Sequence, residues 1–156
     1  MEHDKLTATV SLLMSRGLIA YIMFAFLLLL IGNGWQVVIG AVLIYTVYDL
    51  IGYENTDKGN LFRLQAFRIT SYIFFCLLVW FLCLKNIQSG IAFAVLLIFG
   101  VCDLLYYLIG LYPIKGVRWT WLRWTPWGWF KKELSTVQVI LQAFAGIISV
   151  FLSYIL

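Results

Sequence analysis

The chain has 156 residues, 63% of them hydrophobic and only 12% charged, with a mean hydropathy of +0.96. A soluble domain carries about twice that charged fraction. A water-facing globule is therefore excluded, and the expectation is an all-α integral membrane protein forming a single transmembrane domain over residues 1–156.

A spanning helix needs roughly 20 apolar residues, and five segments qualify. The first, 16–31, is followed by GNGW rather than by a small-residue cleavage site, so it reads as a retained helix and not as a signal peptide. The second is 35–53. The third, 68–84, is short, but Arg68 and Lys85 can snorkel from its two ends. The fourth is 90–112. An interfacial, Trp-rich segment, 113–135, leads to the fifth, 136–156. Ser135 and Gln138 have the spacing of a capping box that opens this last helix. The predicted architecture is a bundle of five transmembrane helices.

Charge placement assigns sides. Lys5 and Arg16 precede or open the first helix. Lys58, Arg63 and Arg68 lie between the second and third, and Lys115, Arg118, Arg123, Lys131 and Lys132 between the fourth and fifth. If the helices alternate, these ten share one side and only Lys85 lies on the other. That positive-inside pattern places the N-terminus in the cytoplasm and the C-terminus on the opposite side.

An internal repeat is visible. AVLIYTVYDLI, residues 41–51, aligns without a gap on VLLIFGVCDLL, residues 95–105, and Asp49 coincides with Asp103. Under alternating topology both helices run the same way, so the repeat is a parallel one.

Much familiar chemistry is missing. The single histidine, His3, lies in the N-terminal tail, which excludes bis-histidine haem, HExxH zinc sites and a Ser-His-Asp triad. Neither GxxxxGK[ST] nor GxGxxG occurs. Cys76, Cys83 and Cys102 sit in apolar runs without CxxC spacing and read as buried thiols, with no disulfide framework. No cofactor and no metal are expected.

What remains rests on carboxylates, arginine and tyrosine. An acid inside a spanning helix costs a few kcal/mol on insertion scales and usually faces the bundle or a cavity. Asp49 and Asp103, with Arg16, Arg68, Tyr106 and Tyr107, are the candidates for a proton- or ligand-binding pocket facing the cytoplasm. The structural alternative is a pair of Asp–Arg contacts locking helices together. Asp49, Glu54 and Asp57 are a weaker carboxylate set for a metal-dependent lipid-headgroup enzyme; their Asp-x4-Glu-x2-Asp spacing does not match the paired-aspartate motifs of such enzymes, and Asn55-Thr56-Asp57 and Gly59-Asn60 look more like turn chemistry.

On the fifth helix, Gln138, Gln142, Ala145, Ser149 and Ser153 share one face, and the last three form a small-residue packing ridge. The run RWTWLRWTPWGWFKK, residues 118–132, gathers five of the seven tryptophans. Arg118, Trp119, Trp121, Arg123, Trp124, Trp127 and Trp129 are the candidates for interface or lipid contact. Indole prefers the headgroup level, and the basic residues meet anionic lipid there. Thr125 and Pro126 fit the cap and first position of a short helix.

The leading functional expectation is a small, non-catalytic membrane subunit that packs with partner chains in a larger complex, whereas a homo-oligomer fits the carrier that comes second. The runner-up is a carrier or lipid- or cation-binding protein using Asp49 and Asp103. A carboxylate–metal enzyme comes third. Membrane lipids, anionic on the cytoplasmic side, are expected partners, and nucleic acid is not.

Overall fold

A computed structural model describes residues 16–56, 60–109, 114, 117–120, 122 and 125–155, with side chains from residue 20 onward except 54 and 55. Among the described residues the protein is all-helical, with one isolated antiparallel bridge between Trp119 and Leu134. The helices are α1 (Arg16–Ile31), α2 (Trp35–Asn55), α3 (Leu61–Lys85), α4 (Ile87–Ile98), α5 (Val101–Ile109) and α6 (Thr136–Ile155). Three of them, α2, α3 and α6, are long and apolar enough to cross a membrane, and a fourth span arises if α4 and α5 count as one. At 1.5 Å per residue, the 25 residues of α3 reach about 38 Å and the 16 of α1 about 24 Å.

The described residues of the five apolar segments are helical apart from Phe99 and Gly100, but two expected boundaries are corrected. The third helix begins at Leu61 rather than at residue 68. Asn60 is the reason: its side-chain oxygen accepts the N–H groups of Phe62 (3.1 Å) and Arg63 (3.2 Å), two of the orphan donors of a helix start. Hydropathy misses this because Arg63, Gln65 and Arg68 make the first turns polar. The fourth helix is not continuous over 90–112. It starts at Ile87, capped by Asn86, whose side chain accepts from Gln88 N (2.9 Å), and it is broken after Ile98, with α5 leaving at 68°.

The chain divides into two compact units, Met1–Leu78 and Val79–Leu156, with the boundary inside α3. In the first unit α1 packs closely on α2. A Cβ on Gly40 would stand 2.7 Å from Leu29 N and 2.8 Å from Ala25 O, so only a glycine lets the two backbones approach this far. Ala25, Val37, Val38 and Ala41 of these two helices are buried. The contact of α2 with α3 is made by rings. Tyr48 lies 4.4 Å from Phe74 between centroids, Tyr45 stacks near-parallel on Phe74, and Gly52 leaves room for Phe67.

In the second unit, Gly90 of α4 receives the thiol of Cys83 from α3. α4 is clasped to α6 at its start: Gln88 donates to the Ser153 carbonyl, and the Ser89 and Tyr154 hydroxyls lie 3.0 Å apart. Of the three cysteines expected to be buried, only Cys102 is; Cys83 is half-buried and Cys76 is exposed. Cys76 stands on a helix that presents large apolar side chains such as Ile73, Leu77 and Trp80 outward, which is what a lipid-facing surface requires.

Candidate functional site

The break between α4 and α5 is built from local backbone chemistry. Phe99 ends α4 with its N–H on Val95 O (2.9 Å). Gly100 follows at φ 77°, the left-handed region that glycine enters without strain. Its N–H donates to Leu97 O (2.9 Å), and its carbonyl accepts the N–H of Leu104 (3.2 Å) to start α5. Asp103 therefore stands in the first turn of α5, where backbone N–H groups point outward and favour negative charge. It is half-buried, as are Tyr106 and Tyr107.

Breaking a helix strands carbonyl groups, and at membrane depth each needs a partner inside the protein. Phe99 O finds one on α6. Gln142 Nε2 donates to it (3.3 Å), while Gln142 Oε1 accepts the backbone N–H of Trp127 (3.2 Å). A carbonyl demands the amide nitrogen and an N–H demands the amide oxygen, so the two contacts fix which way the side chain faces. Gln142 is 2% exposed. One turn further along α6, Gly146 lies against Phe99, and a Cβ there would stand 2.6 Å from Phe99 Cβ.

The segment leading into α6 is a folded cap. Trp119 exchanges both backbone hydrogen bonds with Leu134 (3.2 and 3.3 Å). Its indole N–H donates to Thr136 Oγ1 (3.2 Å), and that hydroxyl donates to Ile114 O (3.0 Å). Trp119, Leu122, Leu134 and Val139 form a buried core against which Leu104, Tyr107, Ile114 and Val117 pack. The Trp119 and Tyr107 rings are 4.8 Å apart. Thr125, fully buried, caps the next turn by accepting Gly128 N (3.3 Å) and donating to Leu122 O (2.7 Å). The capping box of α6 is present: Ser135 Oγ accepts Gln138 N (3.3 Å) and Gln138 Oε1 accepts Ser135 N (3.0 Å).

The cap divides the sequence-expected contact residues. Trp119, at 1% exposure, is a core residue. Trp129 (69%) and Phe130 (86%) project outward, with Trp127 partly exposed and Arg118, Lys131 and Lys132 exposed beside them. Arg118 also meets Glu133 at 3.9 Å, a surface pair that solvent screens. Trp127, Phe130, Lys131 and Gln138 line an open cleft of about 280 Å³. On α6, Ala145, Ser149 and Ser153 face outward, and both serine hydroxyls donate to backbone carbonyls of their own helix.

In the first unit, Asp49 accepts from Ser71 Oγ (3.4 Å), and the Tyr45 hydroxyl lies 3.2 Å from the same Ser71 oxygen. A chain of donors, Tyr45 to Ser71 to Asp49, is consistent with the single proton each hydroxyl offers. Arg68 is exposed, and the α3 residue that bonds Asp49 is Ser71. Among the described residues no three His, Cys, Asp or Glu side chains gather at one point. The side chains of Arg16 and Glu54, and residues His3, Lys5, Asp57, Lys58, Lys115, Trp121, Arg123 and Trp124, lie outside the described ones.

Sequence reading missed Ser71, Thr136 and the Phe99–Gly100 break. It placed Gln142 on a packing stripe without its hydrogen-bonding role. A glycine inside an apolar helix was the one available signal for the break. No protein-family model, no curated protein and no solved structure matches this chain.

Proposed function

We propose that this chain is a small, non-catalytic subunit of a larger membrane complex, and that the Trp-rich cap is where it meets its partner chain. The cap's own core supports this reading. An anchor that only lies among headgroups needs amphipathic side chains and nothing beneath them. Here a buried tryptophan, a backbone bridge and a buried threonine hold Trp129 and Phe130 in fixed positions. Rigid, outward aromatic side chains on a packed support are what binding hot spots require. The outward ridge of Ala145, Ser149 and Ser153 adds a face on which a second helix can approach closely.

The proposed topology has five spans, with α1 as the first and the α4–α5 pair as one. Ten of the eleven basic residues then lie on the cytoplasmic side, together with the N-terminus. Anionic lipid is the proposed partner of Lys131 and Lys132. In a chain freed of its native cysteines, a Lys85→Cys label should react with an impermeant maleimide on intact cells, and a Lys132→Cys label should not. The reverse result would overturn the orientation.

The subunit reading is tested by native mass spectrometry of the protein extracted from its own membrane in mild detergent. A stoichiometric assembly with another polypeptide is expected, and Trp129→Ala with Phe130→Ala should release it while helix content stays unchanged. A lone chain or a homo-oligomer from wild type would sink the reading. The second reading, a carrier, draws on the Tyr45–Ser71–Asp49 chain in a spanning helix. It requires Asp49→Asn or Asp103→Asn to abolish pH-dependent flux with assembly intact.

A further inference from the structure

We infer that Gln142 is a positioning residue with two ends, which ties the α4–α5 break to the Trp-rich cap so that the two open and close as one element. The inference deepens the proposed function, because it assigns what sets the geometry of the proposed contact face.

Four observations converge. Phe99 O has lost its helical partner at the Gly100 turn and is answered by Gln142 Nε2. Trp127 N–H, at the start of the turn that carries Trp129 and Phe130, is answered by Gln142 Oε1. The amide is 2% exposed, so water cannot replace either bond without the surrounding core opening. Phe99 is also held from its ring side, against Gly146 one turn along the same helix. Thus α6 holds the break at two adjacent points, and one of them also holds the cap. Were the cap to lift, the Gln142 oxygen would be left buried and unpaired. Were the break to straighten, its nitrogen would be. Each end therefore penalises the other's release, which is the coupling of a two-ended clasp.

The test uses the purified full chain in lipid nanodiscs and amide hydrogen exchange, each variant being compared with wild type at the same pH. Gln142→Leu removes both bonds at similar volume. Exchange should rise by about tenfold at Trp127 and, together with it, at Gly100 and Leu104, the factor one net hydrogen bond is worth. Gln142→Glu is the decisive variant. Its carboxylate still accepts from Trp127 N–H but can donate to Phe99 O only when protonated. Gly100 and Leu104 should therefore be protected at low pH and released at high pH, a profile absent from wild type. Trp127 should follow them, although its own acceptor is present throughout. If Trp127 stays protected while the break opens, the two ends act separately and the coupling is refuted. If Gln142→Leu leaves either site unchanged, the clasp itself is refuted. Should Gln142→Leu fail to fold, the low-pH state of Gln142→Glu supplies a folded reference. None of these readings needs a partner chain, so the clasp can stand where the subunit reading fails, and the reverse.

Discussion

Residues 41–51 and 95–105 share one pattern, yet the first is a straight stretch of α2 and the second is divided between α4 and α5. The aligned pair Thr46 and Gly100 carries the difference. Thr46 is fully buried in the helix interior, and its hydroxyl donates to Val42 O (2.8 Å), one turn back. Gly100 lies at φ 77° and turns the chain. The aspartates that coincide in sequence are thereby given different surroundings. Asp49 stays inside a helix beside a serine, while Asp103 becomes part of a helix start. An alignment of apolar helices preserves residue type and spacing. It does not preserve the dihedral angle of one glycine, and that angle decides what the acid three residues later can meet.

The two regions also differ in what supports them. The straight one is held by its neighbours along α1 and α3. The broken one depends on residues far along the chain, Gln142 and the core around Trp119. Trp119→Ala should have the largest effect. It removes the centre of the cap core and should cost about 3–5 kcal/mol. The loss should fall on 95–105, read as faster amide exchange there with 41–51 unchanged. Equal loosening of both regions would erase the contrast. Gly100→Thr comes next. A β-branched residue in the left-handed region is strained, and a loss of about 2 kcal/mol is expected by unfolding in mixed micelles. Wild-type stability in this variant would mean that the break does not require glycine. The reciprocal change, Thr46→Gly, should cost about 1 kcal/mol through helix propensity and a small cavity. It should leave α2 straight. A bend at residue 46, seen by spin-label distances across α2, would show that glycine alone suffices. Asp49→Asn keeps an acceptor for Ser71 and should change stability by less than about 1 kcal/mol. A larger loss would mean that the carboxylate is needed for packing, and would weaken the carrier reading.

The sequence signals and the structure agree where the cause is local. The apolar runs are helical, the fourth in two pieces, because hydropathy is a property of each run. The Ser135 and Gln138 box follows from a spacing of three residues, and so does the Thr125 cap, although it closes a turn and not the expected short helix. The helical start at Leu61 is equally local, but Asn60 suits a turn as well as a helix cap, and the polar residues after it hide the helix from hydropathy. The break was not legible, because its partner Gln142 stands 43 positions away from Phe99. The Trp-rich run likewise gave composition without direction. Trp119 and Trp129 look alike in sequence, and only the Leu134 bridge and the Thr136 hydroxyl put one inside and leave the other out.

The Thr136 hydroxyl has a further consequence. By reaching Ile114 O across 22 positions, it makes the chain return to the point from which it left, so residues 114–136 form a closed excursion. The spacing between Ile114 and the start of α6 is then set by that closing contact and not by the length of chain between them. Closure entropy grows slowly with loop length, about 0.6 kcal/mol for each doubling. An epitope inserted between the exposed residues Lys131 and Lys132 should therefore leave the helices in place, giving a handle for tagging on the face that the helices themselves cannot offer.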